Sequence, residues 1–113
     1  MTPKLKAEIW VKAHIRICSA MNVPVFVVRR GDNTSGSVLI KINRLNEKCM
    51  VLTPTTNFST GGRQWLQATG SDWVDEATAD AYIAKQVSFD TDLWVIEIED
   101  PEGRHFLQED VVA

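Results

Sequence analysis

Between Val27 and Arg44 the sequence reads VVRRGDNTSGSVLIKINR: two β-branched apolar runs bordered by basic residues and joined by six small, polar, turn-prone residues. No other feature constrains the fold as strongly, because short runs of this kind bury themselves as strands of a sheet. Gly31 and Gly36 supply positive φ without a Cβ penalty, and Asp32, Asn33, Thr34 and Ser35 can hydrogen-bond their own backbone, so the joint predicts a hairpin turn. Pro24 is tolerated at a strand's start, which places a first strand in VPVFVVRR. In the second, Val38, Ile40 and Ile42 alternate with Leu39, Lys41 and Asn43; after an Asn46-Glu47 turn, KCMVLTP makes a third. The expectation is an antiparallel meander from Pro24 to about Thr53.

Upstream, every odd residue from Leu5 to Ile17 is apolar, which is strand patterning, yet Glu8, Lys12, Arg16 and Ser19 also share one helical face. Thirteen residues would make a long strand, and Ala, Glu, Lys and Arg favour a helix. We therefore read a short strand over Lys4–Glu8 running into a helix over Trp10–Met21. Downstream, Pro54–Gly62 reads as a mobile surface loop and RQWLQA as a short strand. TGSDWVDEATADAYIAKQV then reads as a helix capped by Asp75 or Asp72, with Lys85 in its last turn and Ala77, Ala81, Ala84 and Tyr82 as a small-residue face for a sheet. LWVIEIEDPEGRHFL predicts a strand, a turn at Asp100-Pro101-Glu102-Gly103 and a return strand. These elements make one domain over residues 1–113, of the α+β class: a mainly antiparallel sheet of about five to six strands with two helices packed on one face.

No apolar run approaches the ~20 residues of a membrane span, and the first ten residues lack the apolar core of a secretory signal. A cytoplasmic protein is expected, with Cys18 and Cys49 as reduced thiols. The Asn57-Phe58-Ser59 sequon and the Arg30-Gly31-Asp32 tripeptide would then carry no extracellular meaning. Charge is distributed unevenly. Residues 1–50 carry nine Lys/Arg against three acids, a net of +6; residues 51–113 carry three against twelve, a net of −9. Either the two kinds of face pair within the domain, or they survive folding and meet across a subunit or partner interface.

His14, Cys18, Cys49 and His105 contain the donors of a tetrahedral zinc site, but no CxxC or HExxH spacing supports it, and a buried thiol and a partly buried imidazole explain the same residues. Glu97 and Glu99, with Asp90, Asp92 and Asp100 nearby, read as the wet face of a strand whose Trp94, Ile96 and Ile98 face the core. DNTSG fails as a calcium loop, since Thr34 and Gly36 stand where ligands are needed. No GxxxxGK[ST] pattern supports a phosphate cradle, so the basic residues Arg29, Arg30, Lys41 and Arg44, projecting from neighbouring strands, are the better contact candidates. Of four tryptophans, Trp94 is assigned to the core, and Trp65 and Trp73, beside the polar loop, to an interface. Phe26 is the one aromatic of the basic meander, which counts against nucleic acid.

Three segments, LKAEIWVKA, VVRRGDNTSGSVLIKINRL and FDTDLWVIEIEDPEGRHFL, resemble in order and spacing the bacterial proteins of the domain of unknown function 1491 family. The family pattern often has a proline after Asp90, where this chain has Thr91. The resemblance implies a small bacterial cytosolic protein and supplies no substrate, cofactor or catalytic residue. The functional expectation is a non-catalytic binding or protein-interaction domain, a homodimer or the partner of another cytosolic protein, contacting it through Arg29, Arg30, Asp32, Lys41, Arg44, Trp65 and Trp73. The alternative is an enzyme or binder of an anionic small molecule held by Arg29 or Arg30, with Asp32, His14 or His105 titrating. A nucleic-acid accessory role is a lesser alternative. No metal or cofactor is expected.

Overall fold

The structure, a computed structural model, describes residues 6–113. Its elements in chain order are α1 (Ala7–Ala20), β1 (Val25–Arg29), β2 (Val38–Asn43), β3 (Lys48–Thr56), β4 (Arg63–Gln67), β5 (Val74–Asp75), α2 (Glu76–Phe89), β6 (Trp94–Glu99) and β7 (Val111–Val112). They form one seven-stranded mixed sheet in the order β1-β6-β2-β3-β4-β7, with β5 pairing the start of β3. The β6–β2 and β4–β7 pairs are parallel and the others antiparallel.

The two helices lie on opposite faces of the sheet, not on one. Val38, Ile40 and Ile42 of β2 pack with Ile96 and Ile98 of β6 against Val11 and Cys18 of α1. The intervening Leu39 and Val95, with Cys49 and Val51 of β3, pack against Ala79, Tyr82, Ile83 and Val87 of α2. Successive strand residues point to opposite faces, so the runs VLIKIN and WVIEIE, apolar almost throughout, are covered on both sides. On α2 the face that packs contains Tyr82, as expected, but Ala77, Ala81 and Ala84 are exposed.

The local hairpin expected between β1 and β2 is absent, because β6 lies between them. Strands one apart are separated by about 9.6 Å, and the 30–37 segment bridges that gap across the start of β6. Its hydrogen bonds show how. Asp32 N–H donates to the Asp92 carbonyl (2.9 Å), Trp94 Nε1 donates to the Asp32 carbonyl (2.7 Å), and Trp94 N–H donates to the Ser37 carbonyl (2.8 Å). The carbonyls of Asn33 and Thr34 accept from the Glu8 and Ala7 N–H groups, capping α1. Gly31 and Gly36 are not among the residues with positive φ. They are needed for close approach: a Cβ at either would press on the Asp92 carbonyl and the Trp94 ring.

α1 begins at Ala7, so Ala7 and Glu8 are helical and not strand; the remainder of the expected Lys4–Glu8 strand lies partly outside the described residues. β3 extends through Pro54 to Thr56. Beyond Leu52 it has no β2 partner, so the proline's missing N–H breaks no bond there. RQWLQ forms β4, and α2 is capped by Asp75, whose Oδ1 accepts from Thr78 N–H at 2.8 Å; it runs past Lys85 to Phe89. The Asp100–Gly103 turn forms, with Gly103 at φ +71°. No return strand follows, because β1 and β2 already occupy both edges of β6. The chain instead crosses α1, placing Phe106 and Leu107 on the core, and ends as β7 beside β4.

Candidate functional site

A concavity of about 1190 Å³ opens at the first turn of α1, between that turn, the 34–37 segment and the β3–β4 hairpin. At its base Trp10 lies over Trp65, with ring centroids 5.6 Å apart. Trp65, 1% exposed, is fixed from three sides: its Nε1 donates to Glu109 Oε1 (3.2 Å), the Arg63 guanidinium lies over its ring at 5.7 Å, and Trp10 covers it. Past Trp10 and Glu109 a smaller hollow of about 170 Å³ continues along α1 beside His14 and Phe106. Across the β3–β4 hairpin, Asn57 N–H donates to Gly62, Gly61 N–H donates to Asn57, and Asn57 Oδ1 accepts from Ser59 and Thr60 N–H. This self-bonded loop, which contributes Gly61 and Gly62 to the groove's lining, holds Phe58 99% exposed.

The titratable groups around the groove are held in place. His14, stacked 4.9 Å from Trp10, places Nε2 2.9 Å from the His105 carbonyl; a carbonyl only accepts, so Nε2 carries the proton. Burial holds both imidazoles below their ordinary range, for His14 against the opposing effect of that carbonyl bond. The Cys18 thiol, 0% exposed on the α1 face, is pushed up to about 11 by burial and by the nearby Asp100 charge. Cys49 is buried on the α2 face, also raised, first by burial. The sheet therefore separates the two thiols, and the four His and Cys residues are not brought together.

The residues singled out from the sequence are dispersed. Arg29 donates to the carbonyls of Arg30 (3.2 Å) and Thr91 (3.1 Å). Arg30 pairs with Glu8 (3.3 Å) and lies over Trp94 at 5.2 Å. Asp32 spends one carboxylate oxygen on Thr34 N–H, Ser35 N–H and Ser35 Oγ, and those bonds lower its pKa. At the far end of β2, Arg44 donates to the Pro101 carbonyl (3.3 Å) and covers Trp73 at 5.0 Å. Lys41 does not project into solvent. It is buried under α2, its Nζ 2.8 Å from Glu76, 2.7 Å from Asp80 and 3.3 Å from Glu97. Burial alone would lower its pKa, but the bonds to Asp80 and Glu76 and the charge of Glu97 outweigh that and raise it. Glu97, expected in water, is the inner member of this cluster, and Asn43 Nδ2 donates to it at 3.1 Å. Trp65, expected at an exposed interface, is buried at the base of the groove. Sequence reasoning missed the groove and Phe58; the available signal was a lone aromatic in the otherwise polar run TTNFSTGG.

The DUF1491 family model, described as protein of unknown function, matches residues 5–108. No curated protein matches. The crystal structure of a DUF1491 family protein from Caulobacter crescentus is 37% identical, covers 96% of this chain and 99% of its own, and superposes with a TM-score of 0.86. An NMR structure of a DUF1491 family protein from the same organism is also 37% identical, covering 97% and 98%, with a TM-score of 0.82. A protein from A. tumefaciens solved in solution, 23% identical over 86% of each chain with a TM-score of 0.72, shares the fold. With its family model matched over nearly its whole length and 37% identity to solved members, the chain belongs to the DUF1491 family of proteins of unknown function.

Proposed function

We propose that this chain is a non-catalytic protein-interaction domain of the bacterial cytoplasm and that its partner docks at the groove floored by Trp10 and Trp65. The observation that carries this reading is Phe58. A phenylalanine 99% exposed on a loop tied by its own hydrogen bonds, in the same turn as the groove-lining Gly61 and Gly62, supports an anchor role in a partner's pocket. Its ordered loop reduces the entropic cost of binding. The chemistry of the surrounding groups fits the same reading: the buried thiols are held protonated, and the His14 Nε2 proton is committed to the His105 carbonyl. The anionic-ligand alternative has less support, since Arg29, Arg30 and Asp32 each have internal partners.

The test is a pull-down of the tagged protein from its own lysate at low and moderate salt, with two variants alongside. Phe58→Ser with Arg63→Glu alters the β3–β4 side of the groove, and Arg29→Ala with Arg30→Ala alters the basic end of β1. The reading expects one stoichiometric partner that the second variant keeps and the first loses. A partner lost only with the arginines, or no partner at either salt, overturns it.

A further inference from the structure

On one side the sheet ends at β1, a strand whose outer edge has no partner among the described residues. Three consecutive apolar residues there are open to solvent: Phe26 is 51% exposed, Val27 45% and Val28 57%. An edge of this kind is a template for another strand. Its usable length is set by Pro24 before it and by a bulge at Val28, where the register with β6 slips between Val27 and Arg29.

We propose that β1 pairs antiparallel with β1 of a second copy of this chain about a two-fold axis through Phe26, joining the two sheets into one. Residues that oppose each other across a ladder must lie on the same face. Val25 and Val27, opposite Ile98 and Ile96, are on the α1 face; Phe26, opposite Glu97, is on the α2 face. The bulge returns Arg29, opposite Val95, to the α2 face. An axis at Val27, counted through the bulge in the same way, would match faces too but would set each copy's Arg29 against the other's Phe26, a cation against an apolar ring. With the axis at Phe26, each copy's Val25 meets the other's Val27 and the two Phe26 rings meet each other. Every face then matches.

Charge selects the same register. Two ladder steps from Phe26, Arg29 falls opposite Pro24 of the second copy, and one strand further in lies its Glu99, whose N–H bonds the Pro24 carbonyl at 3.0 Å. The row becomes Val95, Arg29, Pro24, Glu99. Arg29 and Glu99 would be two strand spacings apart, about 9.6 Å between Cα atoms, within the combined reach of their side chains. Neither has an ion-pair partner among the described residues: Arg29 bonds only carbonyls, and Glu99 is in no salt bridge. Two such pairs form per dimer. Phe89, 75% exposed at the end of α2 and two residues before the Thr91 that holds Arg29, adds apolar surface at the same end of the sheet. An unrelated strand would lack these reciprocal matches. A second copy has them by symmetry.

Sedimentation equilibrium over a range of concentrations at low and high salt tests this. The expected mass is twice the 12.7 kDa of one chain, with weaker association at high salt. Phe26→Glu, which sets two carboxylates face to face beside Glu97, leaves monomers, and Val27→Lys, at a second exposed position, does the same with an unchanged circular dichroism spectrum. Arg29→Glu weakens association about tenfold, and Arg29→Glu combined with Glu99→Arg restores it. A wild-type chain of single mass at every concentration overturns the proposal. So does a dimer indifferent to Phe26→Glu and Val27→Lys, or one that the charge reversal fails to rescue. None of these substitutions touches the groove, so the two readings stand or fall separately.

Discussion

Lys41 Nζ, carried into the domain at the middle of β2, lies 2.7 Å from Asp80 Oδ1 on α2 and ties the helix to the sheet across the strand's buried face. Removing it leaves Glu97, only 15% exposed, without a cation. Because Glu76 and Asp80 are half in solvent, the loss belongs at the lower end of the range for a broken buried pair: Lys41→Ala is expected to cost about 3 kcal/mol. Lys41→Met, which keeps the aliphatic packing, is expected to cost less. Urea denaturation decides it, and a cost under about 1 kcal/mol for Lys41→Ala would mean the cluster contributes little to stability.

Gly31→Ala forces a methyl group to within 2.7 Å of the Trp94 ring and onto the Asp92 carbonyl. Backbone cannot yield there without breaking the Asp32 to Asp92 bond. The expected cost is about 2 kcal/mol, with a change in Trp94 fluorescence. The same substitution at Gly62, where the nearest atom is the Thr60 hydroxyl at 3.3 Å, is expected to have a much smaller effect.

Acid should destabilise the fold in two stages. His14 and His105 have folded pKa values below the ordinary 6.5, so the unfolded chain takes up protons first; stability is full above 6.5 and is lost as pH falls through the depressed folded values. Asp100, lowered chiefly by its hydrogen bond from Arg104, contributes stability above its ordinary 3.8 that is lost as pH falls from there through its folded value. Denaturation midpoints measured from pH 7.5 downwards in wild type and His14→Gln test the sign: the first stage should shrink in the variant, and a rise in stability between pH 7 and 6 would refute the assignment.

Cys18 and Cys49, both 0% exposed and with raised pKa values, should be inert to a thiol reagent in the native state and react as two thiols in urea. Rapid native-state labelling of either would show that its face of the sheet opens locally.

Residue patterning by itself determined which segments are strands and helices across most of the chain: the alternation in VLIKIN, the cap at Asp75 and the Asp100–Gly103 turn are local, and each formed where the residues placed it. The family too was legible, in the order and spacing of three segments. Tertiary structure alone decided which strands are neighbours. GDNTSG has the chemistry of a hairpin, but WVIEIE, arriving more than fifty residues later, buries both its faces only by inserting between β1 and β2. That insertion turned the hairpin into a bridge and denied HFL a strand to pair with. It also put the helices on opposite faces, so Lys41, outward in a one-faced sheet, became the buried counter-charge of α2. The physical reason is that strand alternation specifies a side chain's face but not what covers it; that depends on long-range burial, which no local pattern encodes.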